Sequence, residues 1–308
     1  MSGATPRFDV IGLGGAAWDL LGVVRHYPQP GEKTELACFE EQGGGQAGTA
    51  MVAVARLGGR AAIVGTNGDD DAGAKIQRSF AEEGVDVSRL QTDPGARSHI
   101  AFCFITEESG DRAIFFDRGN KRRLEPEDLD RDFMTDARCL LFDTHHWKAA
   151  ATAATWAREA GMPVVTDLER PTPETENLLR LGTHHIMPEH YLLEYTAESD
   201  PWRAAERLLA EYRPEALVVT RGASGSVAYA GGEVLEQPAY PVEPVVDTTG
   251  AGDVFHGAFA YGLTLGYDLP SNLEFAALVA ALKCRALGGR AGIPTKEELA
   301  GLWPLPLP

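Results

Sequence analysis

A glycine-rich turn ahead of an apolar helix carries the residues of this sequence that are best suited to chemistry. The stretch Val245–Gly262 reads as the end of a strand, the turn Gly250-Ala251-Gly252, and a helix that begins near Asp253. Glycines let a ligand approach the backbone, and the free N–H groups of a helix N-terminus attract anions such as phosphate. Because a carboxylate here would compete with that anion, we interpret Asp253 as a base that accepts a proton from an attacking hydroxyl. An aspartate at this place is also typical of a helix N-cap.

The sequence around this turn resembles a family signature. Asp247–Asp253 and the following Phe255–Ala258 resemble the C-terminal signature of the ribokinase-like (PfkB) family of carbohydrate kinases. Far upstream, Gly43–Gly58 is similar to the family's N-terminal signature around a double glycine. Gly65–Gly73 and Thr220–Gly225 also resemble family motifs, so the resemblance covers nearly the whole chain.

The resemblance implies a role for each residue of the turn. Asp253 would be the catalytic base, and the N–H groups of Gly250, Ala251 and Gly252 would bind the γ-phosphate of ATP. Phosphoryl transfer requires alignment and charge stabilisation more than covalent chemistry, and a helix N-terminus with one base can supply both. The predicted nucleotide-binding residues are Thr220, Gly222, Gly225, Thr248, Thr249, Gly250 and Gly252.

The acceptor is expected to bind between the N-terminal signature and a carboxylate. Asp19 falls where such kinases bind the acceptor's hydroxyls, and a carboxylate accepts two hydroxyl hydrogen bonds well. Gly43, Gly44 and Gly45 would let the acceptor approach the backbone, with Gln46 as a polar contact. The other predicted contacts are Lys33, which could meet an anionic group, and Arg112 and Arg118, which could project into the site. His145 could orient the acceptor, although a pair such as His145 and His146 more often serves in packing or capping.

The departures from the family pattern concern the acceptor. Many relatives carry an asparagine where this sequence has Gly48, so acceptor recognition must differ from that of ribokinase. In the detail of the glycine-rich signature, of Phe255-His256 and of Ala281–Pro294, the sequence is most similar to sulfofructose kinases. However, Asp143–Trp147 offers histidines where an arginine would suit a sulfonate, and a phosphorylated or neutral ketose stays open.

The family's metal-ordering element, Asn-x-x-Glu, is replaced here by Met187–Tyr191. Glu189 is the best remaining carboxylate, with Asp167 and Glu169 as neighbours at another strand end, and each is equally typical of solvated surface. Mg²⁺ needs few protein ligands because it keeps waters and phosphate oxygens. We therefore predict ATP and Mg²⁺ as cofactors, with a monovalent cation such as K⁺ near Asp247 as an option implied by the resemblance.

Short apolar runs alternate with amphipathic segments that end in glycine along most of the chain. This alternation predicts an α/β fold with a mainly parallel central sheet covered on both faces. The resemblance makes it a ribokinase-like three-layer fold in a single domain over residues 1–308. Inserted segments at about 20–42 and 97–118, the second with a turn at Glu107–Asp111, predict a small projecting β lid that closes over the acceptor.

Composition excludes several classes of partner. The chain has 308 residues and 45 acidic against 28 basic side chains, a net charge of −17, which argues against binding nucleic acid or an anionic membrane. The four cysteines have no spacing typical of zinc sites or a disulfide framework, and no signal peptide or long apolar run is evident, so we expect a cytoplasmic protein. In similar kinases the lid meets its partner's copy, which predicts a homodimer.

The sequence therefore predicts an ATP-dependent kinase that phosphorylates a hydroxyl of a sugar or sugar-like small molecule. A nucleoside kinase of the same family is an alternative. Gly12–Ala17 satisfies a loose G-x-G-x-x-A pattern and would suggest an NAD-binding oxidoreductase, although Tyr27–Gly31 interrupts the expected continuation. A non-catalytic carbohydrate-binding regulator is the third alternative.

Overall fold

A large and a small β-sheet with surrounding helices make up the computed structural model, which describes residues 5–107, 112–169, 171 and 174–307. The strands are β1 Phe8–Leu13, β2 Ala17–Val24, β3 Cys38–Gly44, β4 Ala61–Gly68, β5 Asp86–Asp93, β6 Ile100–Thr106, β7 Arg112–Asp117, β8 Ala137–Asp143, β9 Val164–Asp167, β10 His184–Pro188, β11 Ala216–Thr220, β12 Ser226–Ala230 and β13 Glu233–Gln237. The helices are α1 Gln46–Arg56, α2 Asp71–Glu82, α3 Arg131–Thr135, α4 Trp147–Glu159, α5 Thr175–Leu181, α6 Glu189–Thr196, α7 Pro201–Tyr212, α8 Ala251–Leu265, α9 Leu269–Lys283 and α10 Lys296–Leu299.

The large sheet is mainly parallel. Among the described residues it has nine strands, in the order β13-β12-β11-β10-β9-β8-β1-β4-β5. From β11 to β5 in that order, every neighbouring pair is parallel. The two antiparallel pairs, β11 with β12 and β12 with β13, lie at one edge of the sheet. The carboxyl ends of the parallel strands therefore lie along one edge, where ligands of open α/β sheets bind.

Helices cover both faces of the large sheet. Along β1, Val10 faces a core shared with α1, α8 and α9, whereas Ile11 and Leu13 face a core shared with α4 to α7. Successive side chains of a strand point to opposite faces, so a strand buried on both sides needs apolar residues at almost every position. The predicted α/β fold in three layers is therefore confirmed.

The small sheet is the predicted β lid. Its order is β3-β2-β6-β7, with β2 and β6 parallel and the outer pairs antiparallel. It is built from the two inserted segments that the sequence indicated, but its strand β2 already begins at Ala17, so that Asp19 lies on the lid. Residues 108–111, which hold most of the predicted hairpin turn, lie outside the described residues.

Helices α8 and α9 have 15 residues each and are largely buried. They pack on each other, and α8 also packs on α1. Within the described ranges, none of the helices combines the length and the apolar character that crossing a bilayer requires.

The contact between α1 and α8 depends on Gly257. A Cβ atom built at this position would overlap the backbone of Ala50 in α1. By contrast, a Cβ atom at Gly252, one turn earlier in the same helix, would meet no atom within 4 Å. The two helices therefore approach each other more closely at Gly257 than a side chain would permit.

Replacing Gly257 by alanine is expected to lower the free energy of unfolding by about 1–3 kcal/mol, since backbone atoms must move apart. The gain in helix propensity of up to ~1 kcal/mol from the same change offsets only part of this loss. Chemical denaturation monitored by circular dichroism measures the free energy of unfolding of this variant and of its control. Gly252→Ala is the matched control and is expected to leave stability unchanged or slightly raised; equal stability of the two variants would contradict the close approach.

Candidate active site

The N-terminus of α8 has free backbone donors. Gly250 is the N-cap residue, with a left-handed φ of 72° that favours glycine, and no side chain caps the helix. Ala251 N–H donates to the carbonyl oxygen of Thr248 at 3.2 Å. Among the described residues, the N–H groups of Gly252 and Asp253 have no acceptor. Asp253 thus lies inside the first turn and does not cap it, and two N–H groups are available to an anion.

Asp247 fixes the turn that precedes α8. Its Oδ1 accepts a hydrogen bond from Thr249 N–H at 2.8 Å, and its Oδ2 accepts one from Gly288 N–H at 2.7 Å. The fully buried Lys283 donates from Nζ to the carbonyl oxygen of Asp247 at 2.8 Å. One carboxylate therefore joins the turn before α8 to the loop after α9.

Asp253 is half-buried and lies in a strongly acidic environment. Burial raises the pKa of its carboxyl well above its usual value, and the charges of Asp167 and Glu169 raise it further, while His256 opposes the shift. The ionised form of a carboxyl with a raised pKa is a stronger base than an exposed carboxylate. This environment suits a group that accepts a proton.

Asp167, Gln46 and His256 form a buried cluster beside the first turn of α8. Gln46 Nε2 donates to Asp167 Oδ1 at 3.0 Å, and His256 Nε2 lies 3.6 Å from the same oxygen. The His256 ring also contacts the carbonyl oxygens of Gly252 at 2.7 Å and Ile186 at 3.1 Å. The cluster ties the start of α8 to the carboxyl ends of β9 and β10, so Gln46 acts here on Asp167.

Asp19 of the lid is buried, with 8% of its surface exposed. Burial raises the pKa of its carboxyl to about 6, although the charge of Arg290 lowers it. A Cβ atom on Gly44 of the neighbouring strand would overlap the carboxylate. The glycines of the N-terminal signature thus leave room for a buried carboxylate, as well as for a ligand.

Arg290 completes this region and was not identified from the sequence. Its guanidinium donates from Nη2 to the carbonyl oxygen of Gly44 at 2.8 Å and lies 4.5 Å from the ring centre of Phe80. A Cβ atom on Gly48 would lie 2.8 Å from the same Nη2 atom. The guanidinium therefore takes the room beside Gly48, the position where a family asparagine is missing. The glycine at position 48 was the one signal in the sequence that another side chain fills the place of the asparagine.

A pocket of about 530 Å³ opens between the lid and the carboxyl end of the large sheet. Six of the predicted acceptor- and nucleotide-binding residues line it, namely Asp19, Gly45, Gln46, Arg118, His145 and Thr249. Glu169 lines it as well. Asp253 is not among the lining residues, but Thr249, directly before the N-cap residue Gly250, is, so the start of α8 adjoins the pocket that contains Asp19.

Asp143 at the end of β8 holds one wall of this pocket in place. Its Oδ2 accepts from Gly15 N–H at 2.7 Å, and its Oδ1 accepts from the backbone N–H of His145 at 2.8 Å and lies 2.9 Å from His145 Nδ1. Burial would raise the pKa of this carboxyl, but His145 and these backbone donors lower it to about 2. In turn, the Asp143 charge raises the pKa of His145. His146 is instead a buried packing residue whose Nδ1 accepts from Leu124 N–H at 3.0 Å.

Other predicted residues lie elsewhere. Lys33 is exposed and is not among the residues that line the pocket. Arg112 of the lid donates to Thr248 Oγ1 at 2.6 Å and so contacts the turn before α8. Thr220 is the last residue of β11, and a short 3₁₀ turn follows it. Gly222 begins this turn and Gly225 comes directly after it, and both glycines have positive φ values.

The predicted metal ligands occupy neighbouring strand ends. Asp167 ends β9, and Glu189 begins α6 directly after β10, the strand paired with β9. Oδ2 of Asp167 is buried without a hydrogen-bond partner among the described residues. Across all residues that the structure describes, no three His, Cys, Asp or Glu side chains come together in a group that could hold a metal ion. These residues therefore fit only a metal that keeps water or ligand oxygens, as Mg²⁺ does.

Comparison with known proteins decides the family. The sequence model of the pfkB family of carbohydrate kinases matches residues 9–296 of this chain. The chain belongs to this family. It is 29% identical to 5-dehydro-2-deoxygluconokinase from Shouchella clausii, over 96% of this chain and 95% of that protein. It is 28% identical to ribokinase from Bacillus subtilis, over 94% of this chain and 97% of that protein.

A solved structure shows the same fold. Ribokinase from Arabidopsis thaliana, complexed with ribose and ATP, superposes with a TM-score of 0.83 at 22% identity, over 97% of this chain and 99% of that one. The ribokinase-like fold is thus confirmed, and the PfkB protein described here is a carbohydrate kinase, a phosphotransferase with an alcohol group as acceptor. The dinucleotide pattern at Gly12–Ala17 leads from β1 into strand β2, whereas an NAD site requires a helix there.

The electrostatic link between Asp19 and Arg290 predicts a measurable titration. In the wild type, the Asp19 carboxyl is expected to protonate as the pH falls through about 6. Arg290→Met removes the positive charge that lowers this pKa, so the titration midpoint should move to higher pH. Carboxyl ¹³C NMR, assigned with Asp19→Asn, measures the midpoint. Arg285→Met, at an exposed position of the same segment, serves as control; a midpoint that is the same in both variants would contradict the link.

Proposed function

We propose that this carbohydrate kinase transfers the γ-phosphoryl group of ATP to a hydroxyl of a sugar or sugar-like small molecule, with Asp253 as the general base. One observation carries the proposal. The free N–H groups and Asp253 both belong to the first turn of α8, which begins two residues after Thr249, a lining residue of the pocket that contains Asp19. An anion-binding helix end, a base and a hydroxyl acceptor are what phosphoryl transfer requires.

In the proposed reaction, the acceptor hydroxyl oxygen forms a bond to the γ-phosphorus as the bond from that phosphorus to the β–γ bridging oxygen breaks. The electron pair of the broken bond stays on ADP, and Asp253 takes the hydroxyl proton. The raised pKa of Asp253 favours this proton transfer. Asp19, from the lid, would accept hydrogen bonds from other hydroxyls and so orient the acceptor.

The turn before α8 would hold the transferring charge. We assign this role to the N–H groups of Gly250, Ala251 and Gly252, of which Ala251 N–H must exchange its bond to Thr248 for one to phosphate. Preorganised backbone donors stabilise charge without reorganising during the reaction. The remaining nucleotide contacts that we propose are Thr220, Gly222, Gly225, Thr248 and Thr249.

We propose that Mg²⁺ accompanies ATP. Asp167 and Glu189 would hold it, directly or through water, at the adjoining ends of β9 and β10. When bound, the metal supplies positive charge to the phosphate oxygens. The two carboxylate oxygens of Asp247 already accept backbone hydrogen bonds. A requirement of the enzyme for K⁺ near this residue stays a prediction.

The acceptor is tested by a panel of candidates with purified enzyme and coupled detection of ADP. The panel contains ribose and 5-dehydro-2-deoxygluconate, after the names of the relatives, together with adenosine for the nucleoside kinase alternative. Sulfofructose tests the resemblance seen in the motif detail, and fructose 6-phosphate tests a phosphorylated ketose. ADP release that depends on one of these acceptors supports the proposal, and absence of turnover with all of them contradicts it.

We also propose that the protein is a homodimer that meets through its lid. Outside the pocket, the strands of the lid expose the large apolar side chains Phe39, Phe102 and Phe115, whereas Ile114 and Phe116 line the pocket. Patches of this kind mark association surfaces. Multi-angle light scattering of the wild type and of Phe115→Asp tests this; a monomeric mass for the wild type would contradict it.

Replacing Asp253 by asparagine is expected to lower kcat by roughly 10²- to 10⁴-fold, the usual span for a lost acid–base group. The Kd for ATP, measured by calorimetry, should change little, because the backbone donors of the helix end remain. Asp132→Asn, at an exposed position in α3, is the isosteric control and should keep wild-type turnover. Near wild-type kcat in Asp253→Asn would exclude the base role.

Replacing Asp19 by alanine is expected to weaken acceptor binding and to leave nucleotide binding nearly intact. Losing a hydrogen bond to a charged group costs about 1.5–3 kcal/mol, so the KM for the acceptor should rise roughly 10- to 150-fold. Steady-state kinetics with each substrate varied in turn measures both constants. Equal losses for acceptor and ATP would place Asp19 outside the acceptor site.

A further inference from the structure

The segment between β7 and α3, together with Arg97 of the loop before β6, carries two kinds of cationic side chain. Arg97 and Arg122 have carboxylate partners, Asp117 at 2.7 Å and Asp128 at 2.6 Å. For Arg118, Lys121 and Arg123, no carboxylate within the described part of the chain lies within ion-pair distance. These three side chains form a local group of positive charge in a protein with a net charge of −17.

Two of the three unpaired cations face the pocket. Arg118 and Arg123 line it, whereas Lys121 and the paired Arg97 and Arg122 do not. The guanidinium of Arg118 lies 5.2 Å from the ring centre of Phe116, which also lines the pocket. Lys121 Nζ donates to the carbonyl oxygen of Arg118 at 3.3 Å. Among the described residues, the two arginines that line the pocket therefore have no carboxylate partner.

His145 extends this positive wall, and the neutral His99 lies next to it. His145 lines the pocket and is held through Nδ1 by Asp143, which favours its protonated form. His99 stands beside it, with 5.9 Å between the ring centres. Burial lowers the pKa of His99 to about 4, and the charges of His145, Lys121 and Arg118 contribute. The same positive potential that disfavours a proton on His99 favours a bound anion.

The pocket also has acidic lining residues. Asp19 and Glu169 line it, and Glu169 and Asp19 both act electrostatically on Asp253. Glu174 also lines the pocket. A ligand that fits both kinds of lining residue needs hydroxyl donors as well as negative charge.

We propose that Arg118 and Arg123, with His145, bind an anionic group of the acceptor, so that the substrate is a sugar acid and not a neutral sugar. This inference rests on the proposed kinase function and names the substrate class of that site. A guanidinium binds a carboxylate through two parallel hydrogen bonds, and two arginines facing one pocket suit a planar carboxylate. The hydroxyls of the same molecule then reach Asp19 and Asp253.

The test compares acids with their neutral counterparts. The probes are 5-dehydro-2-deoxygluconate and gluconate as carboxylates, sulfofructose as a sulfonate, fructose 6-phosphate as a phosphate, and ribose and fructose as neutral sugars. We expect the highest kcat/KM with a carboxylate, and a KM for it that rises with ionic strength while the KM of a neutral sugar does not. Higher kcat/KM with a neutral sugar would overturn the inference and leave the kinase function standing; preference for the sulfonate or phosphate would overturn the carboxylate assignment.

Variants locate the anionic group. Arg118→Met and Arg123→Met should each lower kcat/KM for the carboxylate roughly 10- to 150-fold, as for a lost charged hydrogen bond, and change that for neutral sugars little. Arg118→Lys keeps the charge and should recover part of the loss. Arg25→Met, an exposed lid arginine outside the pocket, is the control and should match the wild type. Equal losses for acids and neutral sugars in Arg118→Met would overturn the assignment.

Calorimetry distinguishes a failure of the anion site from a failure of the kinase function. Sugar acids should bind the wild type and Asp253→Asn, and bind Arg118→Met at least tenfold more weakly. If no acceptor is turned over but the acids bind in this way, the kinase function fails and the anion site stands. If ribose is turned over and the acids do not bind, the anion site fails and the kinase function stands.

Discussion

The carboxylate of Asp247 is the constraint on which the two halves of the site depend. It accepts hydrogen bonds from Thr249, at the turn before α8, and from Gly288, in the loop after α9. That loop continues to Arg290, whose guanidinium reaches the lid strand β3 at Gly44. A single buried carboxylate thus positions the helix end that would hold phosphate and, through two more residues, the cation that faces Asp19.

The second theme is the concentration of negative charge at the carboxyl end of the sheet. Burial raises the pKa values of Asp19, Asp167 and Asp253, and the charge of Glu169 raises those of Asp167 and Asp253 further. Collecting such groups works against stability, because each ionised form is poorly solvated and lies near like charges. Natural proteins retain arrangements of this kind mainly where ligands use them. Bound cations and hydrogen-bond donors from ligands would relieve this repulsion.

The sequence predicted the parts of the site that local pattern determines. Gly250, Gly252 and Asp253 were identified because a glycine turn, a helix start and a carboxylate are neighbours in the chain. The alternation of apolar runs and amphipathic segments likewise predicted the layered fold, and the two inserted segments predicted the lid. These features follow from interactions between residues that are close in sequence.

What the sequence did not predict arises from contacts between distant segments. Arg290 and Asp19 meet only after the chain has folded, and nothing near either residue reveals the other. The same holds for the hydrogen bond from Gln46 to Asp167, which joins two segments far apart in the sequence, while the contact of Gln46 with the acceptor stays a prediction. The unpaired state of Arg118 and Arg123 also depends on which acidic side chains the fold brings near them. Pairing of charges is a property of the tertiary structure, so composition and local pattern cannot give it.

The position of Asp19 on the lid, and of Asp253 on the body, has a geometric consequence. Strand β2 belongs to the small sheet, while α8 packs within the large layered unit. The separation of the two carboxylates is therefore a function of the angle between the two sheets. A molecule that contacted both carboxylates would therefore fix this angle, and residues 14–16 form the short connection between β1 and β2.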